Sequence, residues 1–124
     1  QNKQLWPYPT ARLLLVEDDL HLAGFMEQAI TDLGHEVSHA YSVLDALVQL
    51  ESRTFDLAVL DVELRDGVVF PVADRLAAAS TPYLFASAVY DQLVPVRHQH
   101  VRFVPKPFHV EELQSAVQEL LAAA

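Results

Sequence analysis

Asp61 stands where the apolar run Leu57-Ala-Val-Leu60 stops, and Glu17-Asp18-Asp19 stands where a second run, Leu13-Leu-Leu-Val16, stops. Short unbroken runs of strand-forming apolar residues are the pattern of strands covered on both faces, as in a parallel sheet. Open α/β sheets place their ligands in the crevice at the carboxyl ends of the strands. Two such strands side by side would crowd three or four acidic groups into one small volume, where carboxylates do not all stay ionised without compensation. Oxygen-only ligands favour a hard divalent ion such as magnesium. A third run, Tyr83-Leu-Phe-Ala86, ends at the hydroxyl of Ser87, and Lys106 follows a further strand-like segment. With an ion and Lys106 neutralising charge, a phosphoryl group could be brought against Asp61. The aspartate carboxylate would act as nucleophile and carry the group as a mixed anhydride, its oxygens held by Ser87 and Lys106. Such a transfer asks mainly for positioning and charge neutralisation.

The elements that must position these groups can be read from the apolar periodicity. Arg12 to Val16 is the first strand, and Asp18 or Asp19 caps a helix whose stripe is Leu22, Phe25, Met26, Ala29, Ile30 and Leu33, ended by Gly34. Glu36 to Ala40 is a second, weaker strand. Ser42 offers an N-cap, with Asp45 three residues on and Val43, Ala46, Leu47 and Leu50 on the apolar face. After the strand ending at Asp61, a polar loop through Gly67 leads to a helix over Val68 to Ala79, where Pro71 is tolerable in the first turn. Pro95 interrupts the next segment, so a fourth helix is expected to be short or irregular. Val101 to Val104 resembles a strand, and Val110, Leu113, Ala116, Val117, Leu120 and Leu121 make the clearest helical stripe. Five strands alternating with helices require right-handed crossovers and a parallel sheet with helices on both faces.

Composition narrows the function classes. The 124 residues are 52% hydrophobic and fit one domain with a core of its own. Lys+Arg 8 against Asp+Glu 17 gives a formal net charge of −9, and no basic run offsets repulsion from phosphates, so no direct DNA binding is expected. The absence of cysteine excludes disulfides and thiolate metal sites. No apolar run approaches membrane-spanning length, so the expectation is a cytoplasmic protein with no membrane partner. Residues 1–10, with Trp6, Pro7, Tyr8 and Pro9, have no period and are assigned as an N-terminal extension without chemistry; 11–124 is the domain. The six histidines, His98 and His100 among them, show no metal-ligand grouping and are assigned to surface or partner contact.

Four blocks now carry a resemblance: Leu13-Leu-Leu-Val-Glu-Asp-Asp19, Phe55-Asp-Leu-Ala-Val-Leu-Asp61, Pro82-Tyr-Leu-Phe-Ala-Ser-Ala88 and Lys106-Pro-Phe108. In this order and near this spacing they resemble the signature blocks of the receiver domain of bacterial two-component response regulators, over roughly Ala11 to the C-terminus. The resemblance implies the flavodoxin-like doubly wound fold, strand order 2-1-3-4-5. It implies Asp61 as phosphoacceptor, Asp18 and Asp61 on Mg2+, Glu17 on the ion through water, and Glu63 offering its backbone carbonyl. It further implies Ser87 and Phe103 as switch residues and Lys106 as the phosphoryl-pairing lysine. Arg65 and Val69 stand where the family commonly has Pro and Gly, and the stretch before Phe103 lacks the common Gly-Ala turn.

The function so implied is a phosphorelay receiver. It would take its phosphoryl group from a histidine kinase or histidine phosphotransfer protein, then change the surface offered to a downstream protein target, with dimerisation allowed. It would be a signalling domain, catalysing at most its own phosphorylation and dephosphorylation, either standing alone or forming one domain of a longer protein. Two alternatives share the features. One is a receiver-fold binding module that signals without phosphate. The other is an aspartate-nucleophile phosphatase, for which Glu63 imitates the second acidic residue while the chain is too short for a cap domain.

Overall fold

Alternation along each strand decides which face of the sheet every core residue reaches. The computed structural model describes residues 10–89 and 91–123, so the extension assigned to 1–10 lies, apart from Thr10, outside the described residues. Five strands, β1 (Arg12–Val16), β2 (Glu36–Ala40), β3 (Leu57–Leu60), β4 (Tyr83–Ser87) and β5 (Phe103–Pro105), form one sheet in the order β2-β1-β3-β4-β5. Every pairing is parallel. Four helices connect or follow them: α1 (Leu20–Thr31), α2 (Val43–Ser52), α3 (Phe70–Ala78) and α4 (Val110–Ala123). This is the flavodoxin-like arrangement that the resemblance implied, with the parallel sheet that the pattern required.

Leu13, Leu15, Leu57, Val59, Leu84, Ala86 and Val104 point to one face, where α1 brings Ala23, Met26 and Ile30 and α4 brings Leu113, Ala116 and Val117. Their neighbours Leu14, Val16, Ala58, Leu60 and Phe85 point to the other, against Ala46 of α2 and Val72, Ala73 and Leu76 of α3. A side-chain period of two therefore builds two cores from one sheet. Each fully buried leucine among them is worth roughly 1.5–3 kcal/mol of transfer free energy.

The helix starts follow their chemistry. Asp19 has extended backbone and accepts from the Leu22 N–H at 3.1 Å, while Ser42 accepts from the Asp45 N–H at 3.0 Å. Pro71 lies in the first turn of α3. Ser80, at φ 58°, turns the chain out of α3 toward β4.

Four readings from the sequence need correction. The helix expected over Val68 to Ala79 begins at Phe70, because Glu63–Leu64 and Gly67–Val68 pair as a short antiparallel hairpin. Arg65 and Asp66 make the turn, and Gly67, paired with Leu64 just after it, takes φ 140°, which other residues rarely adopt. The last strand starts at Phe103 rather than Val101. Phe25, placed on the core stripe of α1, is 49% exposed. His98 is not a surface residue: it is only 2% exposed.

His98 explains how the expected irregular segment is held. Two 3-10 turns, Asp91–Leu93 and Val96–His98, stand between β4 and β5. The His98 ring stacks near-parallel to Phe70 at 6.0 Å and meets Phe85 edge-on. Its Nδ1 lies 2.6 Å from the Tyr83 hydroxyl and its Nε2 lies 2.7 Å from Asp74 Oδ1. Arg97 completes the set with a two-pronged bond to the Asp74 carboxylate, at 2.8 and 3.1 Å. His35 is also buried: its Nδ1 accepts from the Ala11 N–H at 3.0 Å, which leaves Nε2 to donate to Gln118 at 2.9 Å.

Leu84→Ala, in the centre of the sheet, is expected to lower stability by about 2–5 kcal/mol with an unchanged urea m-value. Leu44→Ala, at a position 66% exposed, should stay within about 0.5 kcal/mol. Equal shifts in the two urea midpoints would contradict this division of the core.

Candidate functional site

The strand alternation continues past the strand ends and selects the site. Glu17, Asp61 and Lys106 have the parity of Leu15, Val59 and Val104, so all three fall on the α1 and α4 side of the sheet. Backbone bonds hold these ends in register: Asp61 N–H to the Val16 carbonyl at 2.9 Å, Glu17 N–H to the Ala40 carbonyl at 3.1 Å, and Lys106 N–H to the Ser87 carbonyl at 2.9 Å. The side chains then converge. Lys106 Nζ donates to Glu17 Oε1 at 2.7 Å and to Asp61 Oδ2 at 3.2 Å. Glu17, Asp18 and Asp61 each offer a carboxylate oxygen, all within 4.8 Å of one another. Glu17 and Asp61 are buried and Asp18 half-buried.

Ser87 has the opposite parity, yet its hydroxyl reaches the same corner. Ser87 Oγ accepts from the N–H groups of Val62 and Val89, both at 3.4 Å, and the Val62 N–H also donates to Asp61 Oδ1 at 2.8 Å. One backbone amide thus lies between the central carboxylate and the hydroxyl. Phe103 is half-buried on the other face, its ring 6.3 Å from that of Phe85. Glu63 has an exposed side chain and begins the hairpin. The Val69 N–H bond to the Val62 carbonyl puts Glu63 at a non-hydrogen-bonded position of the ladder, so the Glu63 carbonyl is left out of the hairpin's own bonding.

Several contributors have no sequence signal, because their partners are distant along the chain. His39 Nε2 donates to the Glu17 carbonyl at 2.6 Å, and Arg65 Nη2 reaches the Asp18 carbonyl at 3.4 Å. Beside Lys106 lies an apolar groove of about 380 Å³ lined by Leu22, Phe25, Ala88, Pro107 and Phe108.

Three carboxylates gather beside one ammonium, and that environment shifts Glu17 and Lys106. Burial pushes the Glu17 carboxyl above its ordinary value of 4.5, with the Asp61 charge adding to the rise; the bonds from Lys106 and the Asp19 N–H oppose it without cancelling it. Burial by itself would lower Lys106, but the bond to Glu17 and the charge of Asp61 outweigh it and raise the ammonium above 10.5. An all-oxygen donor set with excess negative charge suits a hard divalent cation, so these residues fit Mg2+.

A carboxyl with a raised folded pKa keeps its proton to higher pH in the native state than in the unfolded chain. As pH falls from neutrality toward about 4.5, Glu17 therefore adds to the stability of the metal-free protein. The lowered carboxyls of Asp66 and Asp74 act with the opposite sign, but only as pH falls to about 3.8 and below. Urea midpoints of the metal-free wild type and Glu17→Gln across this range are expected to differ in slope, the wild type gaining more on acidification. Parallel curves would remove Glu17 from the account.

Comparison with known proteins follows the same geometry. Residues 13–118 match the model of the response regulator receiver domain. The chain is 34% identical over 115 residues to the transcriptional regulatory protein TctD of Salmonella typhimurium strain SL1344, covering 89% of this chain and 51% of that one. It therefore spans about half the length of the curated relatives it matches. Among solved structures, the non-phosphorylated HemR receiver domain of Leptospira biflexa is similar at 28% identity and TM-score 0.78, over 90% of this chain and 94% of that one. The CheY-like receiver domain protein of Methanospirillum hungatei JF-1 shares the fold at TM-score 0.83 and 20% identity, over 92% and 95%. With the sheet order, the clustered acids and the match over residues 13–118 in agreement, the chain belongs to the response regulator receiver domain family of two-component signalling.

Proposed function

We propose that this receiver takes a phosphoryl group onto Asp61 from a phosphohistidine of a histidine kinase or histidine phosphotransfer protein, with Mg2+ held by Asp18 and Asp61 directly, by Glu17 through water and by the Glu63 carbonyl. The observation that carries the reading is the convergence of Glu17, Asp18 and Asp61 oxygens within 4.8 Å, with Lys106 Nζ in contact with two of them. An Asp61 oxygen forms a bond to phosphorus as the donor's nitrogen–phosphorus bond breaks. The electron pair leaves on the imidazole nitrogen, which takes a proton from solvent. When bound, the ion offsets the negative charge on the phosphoryl oxygens. Lys106 exchanges part of its contact with Glu17 and Asp61 for a phosphoryl oxygen, and Ser87 turns its hydroxyl toward another.

The added charge then biases a two-state surface through Ser87 and Phe103. A net charge of −9 argues against DNA contact by this domain itself; TctD is named a transcriptional regulatory protein, and an output of that kind would belong to chain outside this sequence. Among the described residues no helix is long and apolar enough to cross a membrane.

Intact mass after incubation with Mg2+ and acetyl phosphate or phosphoramidate is expected to show a single phosphoryl adduct, absent in Asp61→Asn and with a chelator. Lys106→Ala should slow uptake by about a hundredfold, the usual effect of removing one preorganised charge. No adduct, together with no response to beryllofluoride, would overturn phosphorylation and favour the phosphate-independent binding module.

A further inference from the structure

We infer that Asp66 clasps the hairpin Glu63–Val68 over the acidic pocket and is a positioning residue for the divalent ion, an inference that rests on the magnesium-dependent reading above. The hairpin carries two charged residues at its tip, and both reach across to other elements. The Asp66 carboxylate accepts from the N–H groups of Val43 at 2.9 Å and Leu44 at 3.0 Å, at the start of α2. A helix leaves its first N–H groups without intrahelical acceptors, and its positive end favours a carboxylate. These two bonds hold the Asp66 carboxyl below its ordinary value. On the other side Arg65 reaches the carbonyl of Asp18, one of the clustered acids.

The base of the hairpin is secured independently. Leu64 is buried in the α2 and α3 core, and the Val69 N–H bonds the Val62 carbonyl at 2.9 Å. The exposed tip depends on polar contacts instead. Helix α2 has a cap of its own in Ser42, which serves a different donor, the Asp45 N–H. Asp66 therefore links elements that local capping does not require it to link. The consequence is preorganisation: the segment bearing Glu63 is already ordered before an ion arrives, so binding avoids that ordering cost.

Substitutions at the two residues that bond the start of α2, Asp66 and Ser42, separate the clasp from simple capping. Asp66→Ala is expected to weaken Mg2+ binding about fivefold by calorimetry, the equivalent of one net hydrogen bond. In the metal-free protein it should also speed hydrogen exchange at the Gly67 amide, which faces Leu64 across the hairpin next to the exposed tip. Asp66→Asn, which keeps one carbonyl oxygen, should fall between it and wild type. Ser42→Ala, which removes a cap from the same helix, should leave both readouts at wild type. Equal effects from Ser42→Ala and Asp66→Ala, or none from Asp66→Ala, would overturn the clasp. Wild-type protein that binds no Mg2+ would instead overturn the metal reading and the ion-positioning role with it. The metal-free exchange arm would still decide the clasp: faster exchange in Asp66→Ala alone upholds it, and unchanged exchange overturns it.

Discussion

One ammonium group, that of Lys106, lies 2.7 Å from Glu17 and 3.2 Å from Asp61, and the carboxyl-end edge of the sheet depends on it. Glu17 and Asp61 come from adjacent strands whose registry places them side by side and largely out of water. Without a cation between them, two buried carboxylates would repel at close range in a poorly solvated corner. Lys106 arrives because β5 pairs parallel to β4, with its N–H tied to the Ser87 carbonyl. Compensation is nevertheless incomplete. Three carboxylates gather where one ammonium pairs with only two of them, Glu17 remains displaced upward by burial, and the pocket retains a deficit of positive charge that a divalent ion matches.

The sheet separates the acidic cluster from the aromatic residues by parity. Glu17, Asp61 and Lys106 continue the residues that face α1 and α4, whereas Phe85 and Phe103 belong to the face covered by α2 and α3. The two faces meet at the Val62 N–H, bonded to Asp61 and within 3.4 Å of the Ser87 hydroxyl. Beyond Phe85 the aromatic contacts pass to His98 and from there to Asp74 and Arg97 on the surface. The irregular segment between β4 and β5 is thus fastened by a buried histidine rather than by helical hydrogen bonding. Its partners lie on β4 and α3, so the 3-10 turns are ordered by tertiary contact.

Much of this was legible in the amino-acid sequence because it rests on local rules. Unbroken apolar runs such as Leu13 to Val16 and Leu57 to Leu60 require strands covered on both sides, and the helical stripes between them require parallel crossovers. Asp19, Ser42 and Pro71 mark helix starts through bonds within three residues, or through a fixed φ, and they stand where the rules put them. The acids at the ends of β1 and β3 were readable as neighbours for the same reason: strand ends in a parallel sheet share one edge.

Tertiary structure alone decided the contacts whose partners are far apart in the chain. Asp66 could as well have been an ordinary turn residue, since nothing near it in sequence announces the start of α2, 22 residues earlier, as its partner. His98 carried no sign of burial, because Tyr83 and Asp74, which satisfy its ring nitrogens, are 15 and 24 residues away. Phe25 had the spacing of a core residue, but a stripe does not define how wide a face its neighbours will cover, and α1 leaves that ring beside the groove. Periodicity reports which elements form and which way they face; which polar atoms find each other across them depends on the packing of the whole chain, and no local spacing records that.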